Sequence, residues 1–188
     1  AFLLTRSSDL DLTVRYEGSN RLGRSTSARW LPTWNDSAAW NAHEEPWFYK
    51  TFKKTLTHAT LKASYSLTGD KPAVTNSMVI IQAYNPWRPY SADKESGLEI
   101  SSFANPELTY EKKHEFNIGL DLGFLDNRIN FQFDWYTRNN YDLIGPKRTT
   151  GVGGQIVKYA NVASMKSHGE EFTLSTRNIV TKDFEWRD

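Results

Sequence analysis

Along residues 116–138, FNIGLDLGFLDNRINFQFDWYTR, apolar and polar side chains alternate on both sides of a short break. Phe116, Ile118, Leu120, Leu122 and Phe124 share one parity, and Asn117, Gly119, Asp121 and Gly123 share the other. Beyond LDNR, Ile129, Phe131, Phe133 and Trp135 oppose Asn130, Gln132, Asp134 and Tyr136. A period of two is that of a strand with one apolar and one polar face, and Asp126-Asn127 suits a hairpin turn. Similar alternation predicts about seven strands in all: Leu10 to Glu17, Ser27 to Ala42, Thr57 to Thr68, Thr109 to Leu125, Arg128 to Leu143, Met165 to Asn178, and a last one opening near Phe184. Pro32 weakens the second, because proline donates nothing to a ladder.

The predicted connections differ in length. Gly18 to Thr26 is moderate, His43 to Leu56 has room for a helical turn, Gly69 to Leu108 is very long, Leu125 to Arg128 is tight, Ile144 to Ser164 is long and Ile179 to Asp183 is short. A structureless loop of about forty residues is unusual in a compact soluble domain. Short turns at one end and long loops at the other are the habit of an outer-membrane barrel. The fourth and fifth strands also reach the ~9–11 residues that a tilted strand needs to cross lipid. Periodicity by itself leaves two readings open: a half-solvated soluble sheet with its polar face out, or a membrane barrel with its polar face on a wet lumen.

Charge is balanced, with 23 basic and 22 acidic residues, so nothing in it favours nucleic acid as a partner. Mean hydropathy is −0.63, and without a run of about 18 apolar residues no transmembrane helix is expected; barrel strands keep mean hydropathy low and stay allowed. Aromatic residues make up 14% of the chain, which fits interfacial girdles or aromatic binding surfaces. The absence of cysteine rules out disulfide scaffolds and thiolate metal sites.

The stretch NPELTYEKKHEFNIGLDLGFLDNRINFQFDWYTRNNYDLI, from Asn105 to Ile144, resembles a late barrel segment of the SusC/RagA family of TonB-dependent outer-membrane transporters. Its Asn-Pro-x-Leu-x-Tyr-Glu motif, N-x-G-L-D strand, Asn-Arg hairpin and aromatic strand ending in Asp-Leu-Ile carry the likeness. LTVRYEGSNRLG (Leu12 to Gly23), LKASYSLTGD (Leu61 to Asp70) and ANVASMKSHGEEFTLSTRN (Ala160 to Asn178) extend it, in the family's order. The resemblance implies an all-β fold: an antiparallel transmembrane segment of about seven strands out of about 22, with short periplasmic turns and long extracellular loops. Residues 1–188 are then part of the barrel domain, without the plug, the TonB box or the barrel-closing strands. It also implies a place in the bacterial outer membrane, amid its lipid. The cargo would be an oligosaccharide or peptide, the partner a SusD-like surface lipoprotein acting as a lid, and the energy source the TonB complex acting through the plug. No cofactor and no covalent chemistry are expected.

Individual residues are weighed against plainer roles. In the lumen reading, Asp121, Asn130, Gln132 and Asp134 face water, while Ile118, Leu120, Leu122, Ile129, Phe131, Phe133 and Trp135 face lipid. The loop segment YNPWRPY supplies Tyr84, Trp87, Arg88 and Tyr90, suited to sugar stacking, to hydroxyl or carboxylate contacts, or to the lid; a loop packed on its own prolines and rings is the plain alternative. Lys158 and Tyr159 lie on the return path of a glycine-rich loop, TTGVGGQ, that has neither the Gly-Lys-Ser/Thr nor the helix of a phosphate cradle. His43-Glu44-Glu45 lacks the spacing of a metal site, and none is expected. Trp30, Trp34, Trp40, Trp47, Tyr110, Trp135 and Tyr136 are expected as girdle rings or as lumen and loop packing. A soluble or surface β-domain that binds carbohydrate is the alternative function. No nucleophile–base pair or acid–base carboxylate pair points to an enzyme.

Overall fold

The computed structural model describes residues 7–52, 55–71, 77–87, 89, 95–180 and 185–187. In chain order the strands are β1 (Ser8–Gly18), β2 (Trp30–Asn41), β3 (Leu56–Asp70), β4 (Ile80–Tyr84), β5 (Gly97–Ser102), β6 (Glu111–Phe124), β7 (Ile129–Arg148), β8 (Val157–Val180) and β9 (Glu185–Arg187). Two short helices, α1 (Thr26–Arg29) and α2 (Pro46–Phe52), punctuate the connections on either side of β2. Seven strands form one antiparallel sheet in the order β1-β2-β3-β6-β7-β8-β9, and β4 pairs only with β5.

Each predicted strand is present, and several run further than the alternation indicates. β7 continues through Gly145 and Pro146 to Arg148, and β8 begins at Val157 rather than near Met165. The register carries this extension past bulges around Asp142 and between Leu143 and Ile144. β2 starts later than predicted, because Ser25 caps α1 by accepting a hydrogen bond from the Ala28 amide. Pro32 pairs with Tyr16 on the β1 side, while pairing with β3 begins only at Trp34; its missing N–H therefore breaks no inner ladder. The long connection after β3 is not structureless, since it contains the β4–β5 hairpin. The tight turn is as short as predicted. Leu125, Asp126 and Asn127 all have positive φ, and the turn is pinned from β3's side: the Leu125 amide donates to the Thr55 carbonyl (3.1 Å) and the Asn127 amide to the Thr57 hydroxyl (3.3 Å).

Cross-strand pairing sorts the side chains into two faces. On one, Leu10, Ala38, Ala63, Ile118 and Trp135 form a row, and Trp40, Leu61, Leu120, Phe133 and Phe172 form the next. The other holds Thr60, Lys62, Ser64, Asn117, Asp121, Asn130, Gln132, Asp134 and Glu171. A soluble domain covers its apolar face with a second layer. Here no second layer covers it among the described residues: Leu10 is 69% exposed, Leu12 69% and Phe172 64%. The fully buried side chains, Leu22 and Leu108, lie elsewhere, in a small cluster with Leu31 and Tyr110 at the end of the sheet where the long connections gather.

The apolar rows form a slanted band. Its edge toward the long connections lies at Val14 in β1, which the pairing Val14–Trp34–Leu67–His114 sets level with His114 of β6. In β8 the edge lies at Phe172, level through Phe133 with Leu120. Five strand steps thus shift the edge by six residues, from His114 to Leu120. At ~3.4 Å per residue and ~4.8 Å between strands, this is a tilt of about 40° between the strands and the normal to the band. Barrel walls in membranes tilt by about 35–45°.

Candidate functional site

Three surfaces carry the chemistry: the polar face, the two rims of the apolar band, and the knot of connections at the loop end.

On the polar face, the four residues predicted to share a side do so: Asp121 pairs with Gln132, and Asn130 and Asp134 stand opposite Gly123 and Gly119. Room for these polar groups comes from the glycines across from them. A Cβ on Gly119 would lie 2.5 Å from the Asp134 carboxylate, and one on Gly169 would lie 2.5 Å from the Tyr136 hydroxyl. Several charges on this face are mutually engaged, although Asp134 stands opposite Glu171. Lys62 pairs with Asp121, and Glu115 takes both Lys113 (2.8 Å) and Arg138 (3.1 Å). Arg138 also stands 4.4 Å from the centre of the Tyr136 ring, and Asn117 donates to Ser64 at 3.3 Å. This surface can hydrogen-bond water or polar ligands along its length. Among the described residues, no group of three side chains is placed to hold a metal ion.

The rims of the apolar band are aromatic. Toward the long connections, Trp34, Tyr65, His114 and Tyr141 follow one another with centroids 5.0–5.6 Å apart, and Tyr16 stacks on Trp30 at 5.0 Å. At the turn end, Trp40 meets Trp47 at 6.5 Å, and Phe48 and Phe52 continue along α2. Between the rims the contacts are Phe116–Trp135 and Phe133–Phe172. Of the rings expected either at the rims or in lumen and loop packing, Trp34, Trp40 and Trp47 lie at the rims, Tyr136 on the polar face and Tyr110 in the loop-end cluster. Burial, and next the carboxylate of Glu17, raise the Tyr110 phenol above its ordinary value.

The knot explains the NPELTY motif physically. Asn105 is buried; its amide side chain donates to the Tyr159 carbonyl (2.8 Å) and its backbone N–H to the Ser77 carbonyl (2.9 Å). Pro106 and Leu108 present carbonyls to Arg24 and Gly23. A Cβ on Gly23 would fall 2.1 Å from the Pro106 carbonyl, so only glycine lets these two backbones meet. Asn161 accepts from the Thr109 amide and donates to the carbonyls of Thr109 and Asp142. Glu111 accepts from the Ile144 amide at 2.7 Å. Tyr110 and Leu108 close the cluster over Leu22 and Leu31.

The loop residues singled out in the sequence fall on two of the knotted connections. Tyr84 ends β4 and Trp87 follows it, 84% exposed; Arg88 and Tyr90 lie outside the described residues. Lys158 and Tyr159 are in β8, opposite Lys147 and Pro146. The return limb of the first connection is tied to the second, because the Phe103 amide donates to the Gln155 side chain (3.2 Å) and Asn105 holds Tyr159. Sequence reasoning did not find the knot as a site. Its signal was the Asn-Pro motif, whose partners lie some fifty residues away in the chain.

No protein-family model matches the chain. It is similar to the TonB-dependent receptor SusC of Bacteroides thetaiotaomicron, 31% identical over 180 residues, which cover 93% of this chain and 17% of SusC. It is also similar to the TonB-dependent receptor P3 of Formosa agariphila, 27% identical over 174 residues, with 93% and 17% covered. Among solved structures, the RagAB peptide importer in its open-open state matches 96% of this chain and 19% of its own, at 26% identity and a TM-score of 0.80. The closed-closed state gives 0.78. The chain therefore spans less than a fifth of the length of these relatives.

Proposed function

We infer that this chain is a stretch of barrel wall from a TonB-dependent outer-membrane transporter of the SusC/RagA kind. One observation carries the reading: a single-layer sheet exposes a continuous apolar band, slanted by about 40° and edged by aromatic rings on both sides. Ile118, Leu120, Leu122, Ile129, Phe131, Phe133 and Trp135 then meet lipid. Asp121, Asn130, Gln132 and Asp134 line the lumen. The tight turn at residues 125–128 is periplasmic, and the knot with its connections is extracellular.

The whole protein would import an oligosaccharide or peptide with a SusD-like lipoprotein as lid, energised by TonB. The likeness to the RagAB peptide importer supports the peptide class, and the resemblance of the sequence to the SusC/RagA family keeps the oligosaccharide class beside it. Tyr84, Trp87, Arg88, Tyr90, Lys158 and Tyr159 are the residues proposed to meet cargo or lid. This wall segment supplies no covalent chemistry; its role is to hold a wet polar passage across an apolar layer.

The test is cellular. The full-length protein is expected in the outer-membrane fraction, with uptake of labelled oligosaccharides or peptides that stops when TonB is deleted. Recovery as a water-soluble protein, or uptake that persists without TonB, would overturn the reading.

A further inference from the structure

From Leu143 to Gly169 the chain has no Asp or Glu, yet it carries Lys147, Arg148, Lys158 and Lys166, while the whole chain is nearly neutral at +1. The fold gathers this charge on the loop-end limb of one hairpin. Lys147 and Lys158 stand directly opposite each other on the β7–β8 ladder, with Arg148 next along, opposite Val157. Like charges in directly opposed positions destabilise a sheet, and no salt bridge to Lys147, Arg148 or Lys158 occurs among the described residues. Other charges in the sheet do find opposite partners. Lys62 meets Asp121, Lys112 meets Asp142 (2.7 Å), and Glu115 meets Lys113 and Arg138. The limb thus carries a positive excess that no acidic side chain of its own stretch offsets, which suits an anionic partner from outside the chain.

Height excludes a lipid headgroup as that partner. Lys158 precedes Phe172, the edge of the apolar band, by fourteen positions on β8. At ~3.4 Å per residue and a tilt of about 40°, it stands roughly 35 Å beyond the band, whereas the headgroup layer adds only about 5–8 Å to each side of the hydrocarbon. The limb is also joined to the aromatic connection through Phe103–Gln155 and Asn105–Tyr159. Tyr159 is 60% exposed beside the lysines and Trp87 is 84% exposed on that connection.

We propose that the Lys147–Lys158 pair binds the oxyanions of an acidic cargo: the carboxylates or sulfates of a charged oligosaccharide, or the carboxylates of an acidic peptide. This rests on the reading of the chain as a transporter wall and narrows the cargo class that reading leaves open.

The test uses the full-length transporter in detergent, titrated calorimetrically with oligogalacturonate, a sulfated galactan oligomer, a glutamate-rich peptide, maltoheptaose and a serine/glycine peptide. At least one acidic probe is expected to bind about tenfold tighter than its neutral counterpart, with a margin that shrinks as salt rises. Lys147→Gln/Lys158→Gln should remove most of that margin without lowering the melting temperature, while Lys147→Arg/Lys158→Arg should keep it. Which acidic probe responds identifies the source of the oxyanion. Equal or tighter binding of the neutral probes, no binding of any acidic probe, or a margin that survives in the Gln variant would each overturn the proposal. Outer-membrane location and TonB dependence, measured separately, report on the underlying reading.

Discussion

Phe133→Arg is the sharpest single perturbation of the wall. Phe133 lies in the band between Leu120 on β6 and Phe172 on β8, close to the loop-side edge that Phe172 marks, with ring centroids 4.8 Å apart. An arginine on the lipid side costs about 2–4 kcal/mol at the bilayer midplane and less toward the interface, so about 1–3 kcal/mol at this depth, and the lost aromatic pair adds about 0.5–1.5 kcal/mol. Gln132→Arg is the control one residue away. Gln132 pairs with Asp121 and Thr173 on the polar face, where an arginine meets water and a carboxylate and should change stability by no more than about 0.5 kcal/mol. The assay is equilibrium unfolding of the full-length protein in phospholipid vesicles with urea, comparing both variants with the parent. A gap of at least about 1 kcal/mol in this order is expected. Equal costs, or a larger cost for Gln132→Arg, would refute the assignment of faces.

Gly23→Ala places a methyl against the Pro106 carbonyl, 2.1 Å from the ideal Cβ position, so the knot must open; backbone strain of this kind costs about 1–3 kcal/mol or more, read as faster proteolysis between residues 77 and 110. Asn105→Ala leaves the Tyr159 carbonyl without its buried donor and should cost about 1–3 kcal/mol, seen as lost amide-exchange protection at Ser77–Leu108 with the membrane band unaffected. Tyr110 titrates above its ordinary value of 10.0 because of burial and Glu17. The folded state therefore holds this proton more tightly than the unfolded one, and its stability falls as pH rises past 10. The absorbance difference between parent and Tyr110→Phe should accordingly appear only above the titration of exposed tyrosines. An ordinary midpoint would mean that the cluster is open to water.

Most of the wall was legible because its physics is one-dimensional. A strand between lipid and water must alternate, so Ile118 to Phe124 and Ile129 to Trp135 announce both strands and both faces. What the sequence concealed depends on partners far along the chain. The β4 segment IIQAY is five residues, too short to display a period, and it pairs thirteen residues or more away, across Gly97–Ser102. Gly145 and Pro146 read as breakers, yet they pair with Ala160 and Tyr159 because the sheet here continues past the band with few demands on either face. Tyr110 resembles any girdle ring until Leu22, Leu31 and Leu108 close around it. The facing of Lys147 and Lys158 depends on bulges at Asp142 and Val162 that no local pattern announces.

The central claim is that the apolar face meets lipid and the polar face meets water. Nitroxide labels placed singly at residues 130 to 135 of the full-length protein in vesicles, probed with oxygen and with a water-soluble nickel complex, test it most directly. Phe131, Phe133 and Trp135 should show high oxygen and low nickel accessibility, and Asn130, Gln132 and Asp134 the reverse, in a period of two. A flat profile, or one with high nickel accessibility at both parities, would contradict a membrane wall; the opposite phase would put lipid on the wrong face.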